Sequence, residues 1–143
     1  MSLISLRFLR RSPHHLAGLL ALILLTTPAL ATEFPLCGSG KRVTCVVDGD
    51  TFWLKGEKIR PEGFDAPEMG APKCARKAPL ADAAAAELAW VLSSGEVAIE
   101  GNGRSYDRRL ARVTVDGVDI AGPMIASGLA RPYRPGSAPW CGP

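Results

Sequence analysis

Three short segments that favour extended structure follow one another with only tight turns between them, and this succession most limits the folds open to the chain. Arg42–Val47 and Thr51–Leu54 are rich in β-branched and aromatic residues, and Asp48-Gly49 between them is a turn dipeptide. Lys55-Gly56 supplies the next turn, after which Lys58–Phe64 runs back as a third strand. The pattern predicts three strands joined by two consecutive tight turns.

The rest of the chain predicts one long helix, further strands and a short second helix. Pro61 has no backbone N–H, so we expect the third strand to lie at an edge or to contain a bulge. About five short strands with a helix after the third predict a single α+β domain, a small β-barrel with packed helices. The later elements are a helix over Leu80–Leu92 ending near Gly95, strands at Val97–Glu100 and Leu110–Val115, a hairpin turn at Asp116-Gly117, and a short helix at Pro123–Ser127 closed by Gly128.

The first 31 residues have the pattern of a secretory signal peptide. Arginines near the terminus precede an apolar run from Leu16 to Leu25, and Ala29-Leu30-Ala31 has the small-x-small pattern of a cleavage site. We therefore expect a signal peptide over 1–31, cleavage after Ala31, and export of residues 32–143 to the periplasm or the medium. The apolar run falls short of the roughly 20 residues of a membrane span. An uncleaved anchor is the alternative.

The mature chain is expected to be close to neutral. Loss of the signal peptide removes three of the 17 basic side chains and none of the 14 acidic ones. Such a balance argues against a protein that binds nucleic acid through bulk positive charge. Any chemistry on nucleic acid must then come from a local site.

An even number of cysteines follows the signal peptide, at Cys37, Cys45, Cys74 and Cys141. In an exported chain of this size such a set indicates two disulfides. The turn-like Gly38-Ser39-Gly40 can bring its flanking cysteines together, so we favour pairing 37–45 with 74–141. A zinc site is the alternative, but the chain has no C-x-x-C pair and both of its histidines lie in the signal peptide.

Two acidic segments are candidates for metal binding. Asp48–Thr51 alone is most often a solvated turn, and it lacks the further ligands of an EF-hand loop. The following hairpin places Asp50 opposite Pro61, however, so Arg60 and Asp65 arrive at the same end of the sheet. Two carboxylates that meet there repel one another unless a hard cation joins them, and such oxygen ligands suit Ca²⁺ or Mg²⁺.

A third carboxylate and two arginines complete the set of candidate catalytic residues. Glu68 follows Asp65 by three residues on a segment that Pro67 stiffens, and it can accept a proton from an attacking water. Arg60 and Arg108 can supply forked donors that match phosphate oxygens and the charge that grows in the transition state. This combination favours hydrolysis of a phosphodiester.

Taken in order, these segments resemble the staphylococcal-nuclease-like, or thermonuclease, domain family. The likeness runs from about Val43 to Tyr133. The family pattern is a DGDT turn, an arginine that ends the third strand, a D-[TA]-P-E segment, a Y-x-R-x-L-A stretch and a final G-L-A. The matching residues are Asp48–Thr51, Arg60, Asp65–Glu68, Tyr106–Ala111 and Gly128–Ala130.

The resemblance implies a five-stranded OB-fold barrel with helices and Ca²⁺-dependent hydrolysis of DNA and RNA phosphodiesters. It implies that Asp50 and Asp65 ligate calcium together with the backbone carbonyl of Ala66, and that Asp48 lies just outside the ligands. DNA and RNA, preferably single-stranded, are the expected substrates. We expect a monomer with no membrane association once the signal peptide is removed.

The same resemblance implies roles for the remaining site residues. Glu68 would serve the attacking water, while Arg60 and Arg108 would hold the phosphate. Tyr106 falls where the family has a tyrosine that contacts the nucleotide. Two other classes of function stay open: an OB-fold module that binds nucleic acid or protein without cutting, and a disulfide-stapled structural or inhibitory protein of the cell envelope.

Overall fold

A computed structural model describes residues 31–69, 77–136 and 140. The signal-peptide prediction and the proposed partners Cys74 and Cys141 therefore fall almost entirely outside the described residues. The described part is an α+β structure with a mixed sheet, which confirms the predicted class. Its elements are β1 (Cys45–Asp48), β2 (Thr51–Leu54), β3 (Glu57–Pro61), β4 (Phe64–Asp65), α1 (Lys77–Ser93), β5 (Val97–Ser105), β6 (Arg108–Val115), β7 (Val118–Asp119), α2 (Ala121–Ala126) and β8 (Arg131–Pro132).

Two predicted hairpin turns have the backbone that their sequences favour. Lys55 and Gly56 have φ values of 52° and 85°, and Asp116 and Gly117 have 48° and 79°. Positive φ at both central residues is the type I′ geometry, whose twist matches that of the flanking strands. The first turn sets the predicted register, in which Phe52 faces Ile59 and Leu54 faces Glu57. The second turn pairs β7 with β6.

Within the described residues, β3 neither lies at an edge of the sheet nor has a register shift at Pro61, so the prediction of an edge or a bulge is wrong. β3 lies inside the sheet between β2 and β6, antiparallel to the former and parallel to the latter. The missing N–H is tolerated because the pairing with β2 ends at Ile59, two residues earlier. Pro61 is the last residue of β3, and the next residue, Glu62, donates its N–H to the Ala111 carbonyl over 2.9 Å.

The predicted closed barrel is also not seen. The strands pair in the order β1-β2-β3-β6-β5, with β7 beside β6, and no ladder within the described residues joins β1 to β5. The outer edge of β1 is used by the preceding segment instead: Val46 donates its N–H to Pro35 and accepts from Cys37, both over 2.8 Å. A Cys37–Cys45 disulfide ties this segment to β1, which confirms that half of the predicted pairing.

Helix α1 covers one face of the sheet with small residues. It begins at Lys77 and ends at Ser93, slightly longer than predicted, and β1 is its main neighbour among the strands. Alanines at the interface let the helix backbone approach the sheet closely. None of the helices in the described ranges is long and apolar enough to cross a membrane. The buried residues of the helix are Ala81, Ala84, Ala85, Leu88, Val91 and Leu92.

Candidate functional site

Arg60 stands between the two aspartates that the sequence singles out. Its Nη2 lies 3.1 Å from Asp50 Oδ2 and 3.6 Å from Asp65 Oδ1. Its Nη1 donates to the carbonyl oxygens of Pro61 and Phe64 over 3.2 and 3.1 Å. The predicted convergence of Asp50, Arg60 and Asp65 is therefore present, and the guanidinium joins the end of β3 to both carboxylates.

Asp50 is held by its position in the turn between β1 and β2. Its backbone N–H donates to Asp48 Oδ1 over 3.3 Å, and its Oδ2 accepts from the backbone N–H of Ala66 over 3.1 Å. Ala66 is buried. The structure thus places Ala66 beside the metal-ligand candidate through its N–H, while a role for its carbonyl oxygen stays a prediction.

Burial dominates the electrostatics of Asp50, whose residue is only 4% exposed. Loss of solvent raises the pKa of this carboxyl from its ordinary 3.8 to about 7, even though Arg60 acts in the opposite direction. The negative charge of Asp48 adds to the increase in pKa. The anionic form of Asp50 is therefore short of compensating positive charge at this position.

Asp65, unlike Asp50, is held by side chains from the C-terminal part of the chain. Its Oδ2 accepts from Arg131 Nε over 3.2 Å, from Arg131 Nη2 over 3.0 Å, and from Trp140 Nε1 over 3.0 Å. Backbone pairing of β4 with β8 places Arg131 directly opposite Asp65. The guanidinium of Arg131 lies 4.4 Å from the centre of the Trp140 ring, within the range of a cation–π interaction.

Arg108 reaches the same cluster through a threonine hydroxyl. Its Nη1 donates to Thr51 Oγ1 over 3.2 Å, and Thr51 Oγ1 donates to Asp50 Oδ1 over 3.2 Å. Two further bonds to Ser105, from Nε to the carbonyl oxygen and from Nη2 to Oγ, fix the guanidinium near the start of β6. The two candidate arginines thus connect to different oxygens of Asp50, Arg60 directly to Oδ2 and Arg108 through Thr51 to Oδ1.

A cavity of about 290 Å³ brings the remaining predicted residues together. Glu68 is exposed and lines this cavity with Asp48, Tyr106 and Arg108. The Tyr106 side chain is 94% exposed, and its φ of 58° turns the chain sharply between β5 and β6. An exposed carboxylate, an arginine and an exposed aromatic ring therefore share one opening beside the aspartate turn.

Arg108 and Tyr106 also border a second cavity, of about 450 Å³. Arg60, Glu62 and Tyr133 line it as well, and Tyr133 is more than half exposed. The two cavities thus meet at Arg108, one containing Glu68 and the other containing Arg60. Together they form a cleft whose Glu68 side is mostly polar and whose Arg60 side is mostly apolar, with Phe64 and Leu110 in the lining of the Arg60 side.

The donors beside Asp50 are oxygen atoms, the ligand type that hard cations prefer. Asp50 Oδ2 and Asp65 Oδ1 both face Arg60 Nη2, so the guanidinium nitrogen lies between the two carboxylates, and a cation bound by both oxygens would displace it. Ca²⁺ takes six to eight oxygen ligands, which can include carbonyl groups and water beside a few carboxylates. Within 31–69, 77–136 and 140 no group of three or more His, Cys, Asp or Glu side chains is arranged to hold a metal. The protein would therefore supply two anionic ligands and rely on neutral oxygens for the others.

Three residues whose side chains donate hydrogen bonds to Asp50 or Asp65 are not among the predicted site residues. Thr51 belongs to the DGDT turn, and its position next to Asp50 in the sequence could have identified it as a site residue. Arg131 directly follows the G-L-A segment, which marks it in the sequence. Trp140 carries no local signal, because only the fold brings residue 140 to Asp65. No protein-family model matches this chain, and no curated protein is detectably similar to it.

Proposed function

We propose that the chain is an exported, calcium-dependent nuclease that hydrolyses phosphodiester bonds of DNA and RNA. The observation that carries the proposal is the convergence of Asp50 and Asp65 on Arg60, with Arg108 linked to the same carboxylate through Thr51. A phosphodiester is an anion that gains negative charge in the transition state. The arginines of this cluster lie beside carboxylates that can bind a metal, so they can stabilise that charge.

The proposed metal ligands are Asp50, Asp65 and the backbone carbonyl of Ala66. When bound there, calcium would polarise a phosphoryl oxygen and neutralise part of the developing charge. A cation would also relieve the burial penalty on the Asp50 carboxylate, which Arg60 opposes only in part. Because this site must take most of its ligands from neutral oxygens, it suits calcium better than a metal that requires strict octahedral geometry.

In the proposed reaction Glu68 accepts a proton from the attacking water. Its exposure leaves the side chain room to reach a water held at the scissile phosphate, and it shares the cavity with Arg108. Arg108 donates to a non-bridging oxygen, since its two bonds to Ser105 hold the guanidinium in place. Arg60 is the second donor, and Tyr106 offers an exposed ring for stacking against a base.

A partly open, five-stranded OB-type barrel is the finer architecture that we propose. It is supported by the single path of strands in which β6 lies parallel to β3 and antiparallel to β5. OB folds are partly open Greek-key barrels that bind oligonucleotides on one face. The resemblance to the staphylococcal-nuclease-like family supports the same architecture.

The test is cleavage of end-labelled single-stranded DNA and RNA by protein purified from an exporting host, with calcium and then with chelator. We expect cleavage only with calcium. Glu68→Gln should reduce the rate about 100-fold or more, since general-base catalysis contributes on that order. Glu100→Gln, an exposed glutamate of β5, is the matched control and should cleave at the parent rate. Binding without cleavage would instead support a non-catalytic OB module, and neither activity would favour the envelope protein.

A further inference from the structure

The two oxygens of the Asp65 carboxylate have different surroundings. Oδ2 accepts three hydrogen bonds, two from Arg131 and one from Trp140, all between 3.0 and 3.2 Å. Oδ1 has Arg60 Nη2 at the longer distance of 3.6 Å. The carboxylate is therefore fastened through one oxygen, while the other faces the side where Asp50 lies.

Arg131 and Trp140 also hold each other. The strand pairing of β8 with β4 fixes the backbone of Arg131 opposite Asp65. The Arg131 guanidinium lies over the Trp140 ring, 4.4 Å from its centre. The indole N–H donates to Asp65 Oδ2, the same oxygen that accepts from the guanidinium. A fork with two donors and a rigid ring with one donor restrict rotation of the Asp65 side chain more than either alone.

We propose that Arg131 and Trp140, the Asp65 clamp, are positioning residues that orient Asp65 Oδ1 toward Asp50 and so set the calcium affinity of the site. The inference rests on the proposed function, because it concerns the same metal site. Partners that hold a ligand from outside the metal commonly change metal affinity by 10- to 100-fold. The proposal thus gives a role in metal affinity to two residues that follow the last motif, Gly128–Ala130.

Arg131 could also lower the calcium affinity by competing with the cation for Asp65. This effect is expected to be weaker than the gain from orienting the carboxylate. The side chains of Arg131 and Asp65 are 30% and 27% exposed, so water and salt screen the charge of the guanidinium. Orientation of a carboxylate is a geometric constraint that screening does not reduce. Arg131 and Trp140 also bind Oδ2, so a metal at Oδ1 would compete with Arg60 Nη2, which lies 3.6 Å from that oxygen, and not with Arg131 or Trp140.

The test compares two single tryptophan substitutions in the full exported protein by calorimetric titration with calcium. Trp140→Phe keeps an aromatic ring for Arg131 and removes only the N–H. Trp90→Phe is the matched control, since Trp90 is 68% exposed on α1 and borders a groove with Val118 and Pro123. We expect Trp140→Phe to weaken calcium binding about tenfold, and Trp90→Phe to bind like the parent.

A second variant and the unfolding temperature separate positioning from loss of fold. Arg131→Lys keeps the charge but loses the fork, so it should also weaken calcium binding. Both variants should unfold close to the parent temperature in chelator, and if Trp140→Phe does not fold, Arg131→Lys decides. Parent-like or tighter calcium binding in the folded variants would overturn the clamp. A parent that binds no calcium would overturn both proposals, whereas a parent that binds calcium without cleaving nucleic acid would overturn only the nuclease.

Discussion

Gly49 and Ala84 lie in direct contact, since a Cβ atom on residue 49 would stand only 2.5 Å from the Cβ of Ala84. The same atom would lie 2.7 Å from the Cβ of Ala66. Helix α1 and the segment after β4 therefore close over the turn that carries Asp48 and Asp50. The glycine is needed here for space, and the packing of a helix fixes the position of a candidate metal ligand.

Gly49→Ala is predicted to destabilise the protein by about 1–3 kcal/mol, the usual effect of an added carbon in a filled core. Neither neighbouring Cβ can move away without moving its backbone, so the turn itself must shift. Calcium binding should weaken in parallel, because Asp50 is the next residue. Gly122→Ala is the control, since nothing lies within 4 Å of an added Cβ there. Urea unfolding and calcium titration measure both effects, and equal stability of the two variants would contradict the packing argument.

The high pKa of Asp50 predicts how stability changes with pH in the absence of metal. The folded state keeps a proton on this carboxyl up to about pH 7, whereas the unfolded chain loses it near 3.8. Because the folded state binds more protons in this window, the free energy of unfolding falls as pH rises from about 4 to 7. The contribution is fully present below 3.8 and is lost once the pH exceeds the folded value.

Asp50→Asn removes this titration. Since one pKa unit corresponds to about 1.4 kcal/mol, the increase from 3.8 to about 7 sets an upper limit of about 4 kcal/mol on the amount by which the variant is more stable than the parent at pH 8 in chelator. Calcium should then stabilise the parent and not the variant. Thermal unfolding between pH 4 and 8 is the measurement, with Asp82→Asn on the exposed face of α1 as control. A variant that keeps the parent's pH dependence would show that another group is responsible.

The local structure was predictable where a short pattern decides it. The turns at Lys55-Gly56 and Asp116-Gly117 need positive φ at two residues, and those dipeptides supply it. The hairpin register then brought Asp50, Arg60 and Asp65 to one place, as expected. These relations depend on few residues that are close in sequence.

The features that the sequence did not predict are contacts between segments that are distant along the chain. The sequence pattern does not show that residues 35–37 take the outer edge of β1, which leaves the described strands as an open sheet. Helix α1 does end just before Gly95, as expected, but the sequence did not show that a Cβ at this position would overlap the Asp116 carboxylate, so the small size of Gly95 also serves a tertiary contact. Trp140 reaches Asp65 in the same long-range way.

Arg108 and its neighbour Arg109 provide a test of which arginine serves the phosphate. Arg108 joins Thr51 and Ser105 at the cleft, whereas Arg109 donates to Glu57 and the Gly101 carbonyl. Arg108→Lys keeps the charge but loses the fork, so activity should fall about 100-fold or more. Arg109→Lys should stay close to the parent. Cleavage rates measured at saturating calcium decide, and equal losses would contradict the assignment.

The disulfides are predicted to form two separate loops. The Cys37–Cys45 bond is present in the described structure, and Cys74 with Cys141 is the remaining pair. Peptide mapping under non-reducing conditions should therefore recover both links from protein exported into an oxidising compartment. A 37–74 or 45–141 link would contradict the pairing, and four free thiols would contradict export.

The two disulfides should differ in their effect on stability. Replacing Cys37 and Cys45 by serine opens a loop of sequence separation 8, whose closure stabilises the protein by about 2.5 kcal/mol according to the chain-entropy relation. Replacing Cys74 and Cys141 opens a much longer loop, worth roughly 4 kcal/mol on the same relation. The short bond also keeps the preceding segment on β1 and Phe34 against Phe52, at 5.7 Å between ring centres. Denaturant unfolding should therefore show a larger loss in the free energy of unfolding for the variant that lacks Cys74 and Cys141. The reverse order would mean that packing of the N-terminal segment contributes more than loop entropy.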